Sequence, residues 1–221
     1  MNILAFNGSP RKKGNTSLLL KEFLRGAQEN SILAEEINAE DISLRYCTGC
    51  LRCNLIKRCA IKGDDWQDLS CKVRNADVLV FASPVYFHHL TAPLKKIVDR
   101  FRSFINVQIT EDGLRHTPWQ EWKKHFVLLL CLGSSDDADA RPVIDLFKFI
   151  TSILGPDNRL HFLTGTRLAV INQVKMTEDE LRVLYLRLKL PLHLVTKDYQ
   201  RNKALLQKCY QLGKELVNNY T

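Results

Sequence analysis

Apolar positions fall into two rhythms along the 221-residue chain. Unbroken apolar runs at Asn2–Phe6, Val78–Ala82 and His125–Leu132 predict strands buried on both faces, as in a parallel sheet. Between them the spacing is helical. Leu18, Leu19, Leu20, Phe23 and Leu24 predict a helix over about Asn15–Asn30, and Trp66, Leu69 and Val73 one over about Asp65–Asn75. Leu94, Ile97, Val98, Phe101 and Phe104 line a helix that Pro93 opens. Further helices are expected at about 140–154, ended by Gly155-Pro156-Asp157, and at 177–190, opened by a capping box from Thr177 to Glu180. A last helix is expected at 198–218. A weakly alternating strand is expected near Ala34–Asn38 and a fifth strand within Leu160–Val174, placed at Leu168–Asn172, with residues 107–124 as a polar connection. Alternating strands and helices predict an α/β fold. It is a doubly wound, five-stranded parallel sheet with helices on both faces, formed by a single domain over 1–221 with a helical extension from about 177.

In such sheets the ligand lies past the carboxyl ends of the strands. Three polar loops are expected there: Gly8–Ser17, Ser83–His89 and Gly133–Asp137. The first is a hydroxyl-rich basic loop between a strand and a helix, where unpaired amides and the helix dipole favour an anion. Ser9, Arg11, Asn15, Thr16 and Ser17 supply donors suited to a phosphate monoester. Neither a Walker pattern nor GxGxxG is present, which disfavours a triphosphate or a dinucleotide pyrophosphate.

Charge and cysteine content change this picture in two ways. The net charge of +8 is spread along the chain without a dense basic block, so nucleic acid is not an expected partner. No apolar run reaches about 18 residues and no signal-peptide pattern opens the chain, so no membrane partner and a cytoplasmic location are expected. Seven cysteines then point to metal or redox chemistry. Four stand together as Cys47-x2-Cys50-x2-Cys53-x5-Cys59, a compact spacing like that of cubane iron–sulfur ligation. A 4Fe–4S cluster, free thiols and zinc all remain open for this loop. Cys71, Cys131 and Cys209 are expected in the core. Asp64 and Asp65 are expected to cap the next helix rather than serve as acid–base groups, and His88 and His89 to be plain polar surface rather than contacts to a substrate or nicotinamide.

Gly8-Ser9-Pro10-Arg11 with Gly14-Asn15-Thr16, the cysteine run, Cys59 with Asp64-Asp65, and Ala82-Ser83-Pro84-Val85-Tyr86-Phe87 together resemble the flavodoxin-like NAD(P)H-dependent FMN reductases, nearest their iron–sulfur flavoprotein branch. The resemblance covers about Met1–Leu132. It implies FMN, its phosphate held by Ser9, Arg11, Asn15, Thr16 and Ser17. Pro84, Val85, Tyr86 and Phe87 would wrap the isoalloxazine ring, with Gly133 and Ser134 approaching from the third loop. It implies NAD(P)H as cosubstrate, a cluster on Cys47, Cys50, Cys53 and Cys59, a ferredoxin-like electron partner, and a homodimer or homotetramer. The rival reading is a non-enzymatic flavodoxin-fold electron carrier or redox-sensing module.

Overall fold

A computed structural model describes residues 1–30 and 32–218. The strands are β1 (Asn2–Asn7), β2 (Leu33–Asn38), β3 (Val78–Pro84), β4 (Ile105–Thr110), β5 (Gly113–Pro118), β6 (His125–Cys131) and β7 (Arg159–Gly165). The helices are α1 (Asn15–Ala27), α2 (Cys53–Ile56), α3 (Trp66–Asn75), α4 (Ala92–Arg100), α5 (Arg141–Leu154), α6 (Glu178–Arg187) and α7 (Val195–Asn218). Five strands form one parallel sheet in the order β2-β1-β3-β6-β7. The chain leaves β1 first to one side and then to the other, so the switch point lies between β1 and β3.

Strand period two divides the core. Leu4, Phe6, Leu79, Phe81, Phe126 and Leu128 face α3, α4 and α5. Ile3, Ala5, Val78, Val80, Val127 and Leu129 face α1 and α7. On that second side α1 and α7 meet at two glycines. A Cβ on Gly26 would lie 2.0 Å from Tyr210 O, and one on Gly213 would lie 2.1 Å from Phe23 O. The helix expected as a C-terminal extension is therefore a covering layer of the sheet, with Leu205, Cys209, Leu216 and Val217 buried in the same cluster as Leu19, Leu20 and Phe23.

Several boundaries differ from expectation. The fifth strand is Arg159–Gly165, not Leu168–Asn172; Leu168 and Val170 lie in a loop whose carbonyls serve α1 instead. The polar stretch 107–124 contains most of the antiparallel hairpin β4–β5, turning at Glu111-Asp112 with Gly113 at φ 123°. Helix α1 ends at Ala27 and passes into a 3-10 turn at Gln28–Asn30. Cys131 and Cys209 are buried, but Cys71 is exposed. The buried face of α3 runs through Trp66, Leu69, Ser70 and Val73, and Cys71 falls on the other side.

Candidate functional site

The first loop leaves β1 at Asn7, a buried polar side chain that ties several elements together. Its Nδ2 donates to Ser17 Oγ at 3.0 Å and Glu36 Oε1 at 3.1 Å, and its Oδ1 accepts from Ser9 N–H at 3.1 Å. Gly8 N–H donates to Ala82 O at 2.7 Å, and Thr91 Oγ1 donates to Gly8 O at 2.8 Å. A Cβ on Gly8 would stand 2.9 Å from both Thr91 Oγ1 and Leu94 Cδ2. The first two loops are thus stapled to each other at the switch point. Composition gave no sign of Asn7 or Thr91; a strand-terminal Asn followed by Gly was the available signal.

Beyond Gly8 the loop curls on itself. Ser9 Oγ accepts from Arg11 N–H at 3.2 Å, and Gly14 N–H donates to Arg11 O at 2.8 Å. Leu18 N–H is the first to reach a helical acceptor, Gly14 O. The amides of Asn15, Thr16 and Ser17 therefore open α1 with no acceptor inside the helix. A Cβ on Gly14 would sit 3.0 Å from Ser9 Oγ and Arg11 O, filling the curl. This amide cradle suits a phosphate, but not every side chain expected there is available to one. Asn15 is buried, donating to Leu168 O at 3.0 Å and Val170 O at 2.8 Å and accepting from Val174 N–H at 3.0 Å. Ser17 Oγ donates to Arg11 O at 3.1 Å. Thr16 is buried against the Cys131 thiol, which burial pushes up to about 12. These three residues offer backbone amides. Ser9 and Arg11 remain at the rim, with Arg11 Nη1 on Ala169 O at 3.0 Å.

The second loop is a tight hairpin. Tyr86 and His89 exchange N–H···O bonds of 3.0 Å, and Phe87 and His88 between them take φ of 48° and 61°. Two successive positive φ values are type I′ turn geometry, usually given to Asn or Gly. For a side chain as bulky as Phe such a φ costs about 1–2 kcal/mol. Phe87 is nonetheless 102% exposed and Tyr86 47% exposed, while Pro84 and Val85 are half-buried. His89 Nδ1 accepts from Leu90 N–H at 2.9 Å, which holds its ring against its own turn. His88 Nδ1 stands 3.5 Å from Asp139 Oδ1. Between these loops lies a cavity of ≈ 270 Å³ lined by Gly8, Pro10, Glu40, Tyr86, Thr91 and neighbours.

The third loop follows β6. Gly133 is exposed, and Ser134 Oγ accepts from Asp136 N–H at 3.1 Å. Ser134 O accepts from Arg167 N–H at 2.7 Å, and Arg167 Nε reaches the buried Asp198 at 2.6 Å. Two arginines, Arg167 and Arg201, hold the Asp198 carboxyl below its usual range despite its burial, and Tyr185 donates to the same carboxylate. The C-terminal helices are thereby tied to the rim of the site.

The cysteine loop follows β2. Cys47, Cys50, Cys53 and Cys59 all line one small cavity of ≈ 20 Å³, together with Arg100 and Arg102. Among the described residues no three Cys, His, Asp or Glu side chains gather closely enough to hold a single metal ion. Helix α2 docks the loop on the segment after α4. Asn54 Nδ2 donates to Val107 O at 2.8 Å, Arg102 Nη2 donates to Asn54 Oδ1 at 2.8 Å, and Arg102 Nη1 stands 3.4 Å from Cys53 Sγ. Burial raises the Cys53 thiol, while a backbone bond from Arg52 lowers exposed Cys50. Asp64 does more than start a helix. Its Oδ1 takes Trp66 N–H at 3.2 Å, and its Oδ2 takes Arg100 Nη1 at 2.6 Å in a pair closed to solvent. Arg100 Nη1 also holds Arg45 O at 2.8 Å, so one guanidinium ties down both ends of the cysteine segment. Asp65 accepts from Ser43 N–H at 2.8 Å rather than capping α3 with its side chain.

Comparison with known proteins agrees with this geometry. An iron-sulfur flavoprotein of Methanocaldococcus jannaschii is 39% identical over 102 residues, covering 46% of this chain and 52% of that protein. The chain spans about half the length of the curated relatives it matches here. Two solved structures share the fold: an NAD(P)H:quinone oxidoreductase from Methanothermobacter marburgensis (TM-score 0.65, 13% identity, 98% of each chain) and an FMN-dependent NADH-azoreductase from Bacillus anthracis in complex with FMN (TM-score 0.60, 13% identity, 98% of each chain). The model of the NADPH-dependent FMN reductase family matches residues 1–157, and with the sheet order and loop placement above, the chain belongs to that family.

Proposed function

We propose that this protein binds FMN at the β1/β3 switch point and passes electrons from NAD(P)H through it to an acceptor. The observation that carries the reading is the pairing of two features at one edge: an amide cradle at α1 and a strained turn presenting Tyr86 and an unpacked Phe87 beside it. Strain of that kind persists where the surrounding structure holds it for a purpose. FMN, when bound, supplies hydride acceptance and onward release of electrons. The protein binds and orients. The amides of Asn15, Thr16 and Ser17 and the positive end of α1 hold the phosphate. Arg11 and Ser9 close over it from the rim, and Pro84–Phe87 pack on the flat ring. Gly133 and Ser134 line its far side. No side chain of the site is assigned an acid or base role.

Cys47, Cys50, Cys53 and Cys59 are the ligands for a 4Fe–4S cluster in this reading. The thiols line a common hollow, and their Cys-x2-Cys-x2-Cys-x5-Cys sequence spacing suits a cubane better than zinc. Arg102 supplies positive charge beside Cys53. A cluster there would let single electrons leave to a ferredoxin-like carrier.

Three measurements test the proposal. FMN titration should show much weaker binding for Gly14→Val, whose side chain enters the cradle, with the fold intact by circular dichroism; equal affinity would refute the site. The FMN-loaded protein should oxidise NAD(P)H faster than free FMN does. A rate equal to that of free FMN would leave a non-enzymatic carrier. Iron and sulfide analysis after anaerobic purification should give roughly four irons per chain. Zinc, or no metal, would remove the cluster.

A further inference from the structure

Helix α4 ends on Arg100, whose guanidinium is sealed inside the fold at 1% exposure. Burying such a group is costly unless its charge and its donors are all answered. Asp64 answers the charge, with Oδ2 2.6 Å from Nη1 and Oδ1 3.4 Å from Nη2, and Arg45 O accepts from Nη1 at 2.8 Å. Of the three nitrogens only Nε is left: it is buried, and no described residue accepts from it. A buried donor of that kind calls for an explanation. Arg100 lines the same hollow as Cys47, Cys50, Cys53 and Cys59. Water is a poor answer there, since it needs several polar partners. Ser103 Oγ on the same wall is already bonded to Trp66 Nε1 at 3.1 Å and to Arg100 O at 2.9 Å. Arg102 lines the hollow as well. It donates to Ile105 O and Asn54 Oδ1, both at 2.8 Å, and stands 3.4 Å from Cys53 Sγ. Among the described residues no carboxylate pairs with it.

We propose that Arg100 Nε–H is the donor to the occupant of this hollow, and that Arg100 thereby sets the reduction potential of a cluster held by the four thiols. The inference rests on the reading of those cysteines as cluster ligands. The missing acceptor must be sulfur or an anion. A four-thiolate iron–sulfur cluster is both, and its negative charge grows when it takes up an electron. A hydrogen bond to its sulfur favours the more negative, reduced state and raises the potential. The two arginines then differ in what they contribute. Arg102 brings net charge. Arg100, neutralised by Asp64, brings chiefly its N–H. Asp64 is the group that keeps the Arg100 charge from acting on the cluster.

A dithionite titration of the full chain, purified without air and followed by electron paramagnetic resonance, reads the midpoint potential. Iron and sulfide analysis reads occupancy. Arg100→Lys keeps a cation for Asp64 and removes Nε–H. It should retain roughly four irons per chain. Its one-electron reduction should be about tenfold less favourable, a midpoint lower by about 59 mV. Asp64→Asn keeps an amide oxygen for Trp66 N–H and unmasks the Arg100 charge, so its midpoint should rise by a similar amount. Loosened packing alone does not move the two variants in opposite directions. An Arg100→Lys chain with full iron and the wild-type midpoint overturns the proposal and leaves the cysteine ligands standing. A wild type that holds zinc, or no metal, removes both. If Arg100→Lys does not fold or does not retain iron, Asp64→Asn decides: a raised midpoint supports the contact, and an unchanged or lowered one overturns it.

Discussion

Gly26→Ala sets local propensity against packing, and the two predict opposite signs. Gly26 lies within α1 with an ordinary helical backbone. On propensity alone, Ala in place of Gly in a helix interior gains about 0.8–1.0 kcal/mol. The new methyl would lie 2.0 Å from Tyr210 O and 2.8 Å from Tyr210 C. Both are backbone atoms of α7, so no side chain can rotate away. To restore ordinary contact the two helices must part by about 1 Å over the layer that contains Phe23, Cys209 and Val217. Overpacking of a tight core costs about 1–3 kcal/mol, and a backbone obstacle belongs at the upper end. The net expectation is a loss of about 2 kcal/mol. For a chain of this size that lowers Tm by about 4–8 °C. Thermal melts at 222 nm, with urea midpoints as a second measure, read the effect. A Tm equal to or above wild type would show that α1 and α7 do not meet as closely as described. Gly213→Ala should behave alike, and the double variant should cost less than the sum, since one separation relieves both clashes.

Two further outcomes follow from buried charge. His125 Nδ1 and His161 Nε2 lie 2.9 Å apart, and burial, their mutual proximity and Arg159 hold His125 below its ordinary value; burial and Arg159 do the same for His161. The unfolded chain therefore takes protons first, so stability is complete above about pH 6.5 and falls as the pH drops below it. Urea midpoints from pH 7.5 to 5 should show that decline, and His161→Gln should flatten it; parallel slopes would refute the assignment. Arg100→Met leaves Asp64 buried without its partner and should cost about 3–5 kcal/mol in urea unfolding, with part of the loss recovered by adding Asp64→Asn. A change under about 1 kcal/mol would show that the pair is not sealed from water.

The sheet centre was legible because β1, β3 and β6 are buried on both faces and read as unbroken apolar runs. The edges were not. Strand β7 is half-exposed, so its apolar content competes with the Leu168–Val170 run, which looks more strand-like but spends its carbonyls on Asn15. The β4–β5 hairpin carries Asp112-Gly113 at its turn, a signal masked by polar neighbours. The first loop was read as a bed of side-chain donors. Its architecture depends on which donors the protein keeps for itself, and Asn15 and Ser17 are kept. For Asn15 that division rests on contacts more than a hundred residues away in sequence and could not be read locally, while Ser17 is held within its own loop by Arg11 O. The glycines of α1 and α7 look like weak helix positions until the partner backbone is seen.

The side-chain amide of Asn15 has a wider consequence. It belongs to the stretch matched by the family, yet all three of its bonds end on Leu168, Val170 and Val174, outside that stretch. The matched portion therefore leaves part of its own loop anchorage to residues beyond it. A fragment trimmed after residue 157 would uncover Leu19, Leu20 and Phe23 and unmoor the start of α1. In this chain the family-matched stretch and the segment after residue 157 share one set of contacts around α1, and a graft that replaced either would have to rebuild that shared seam.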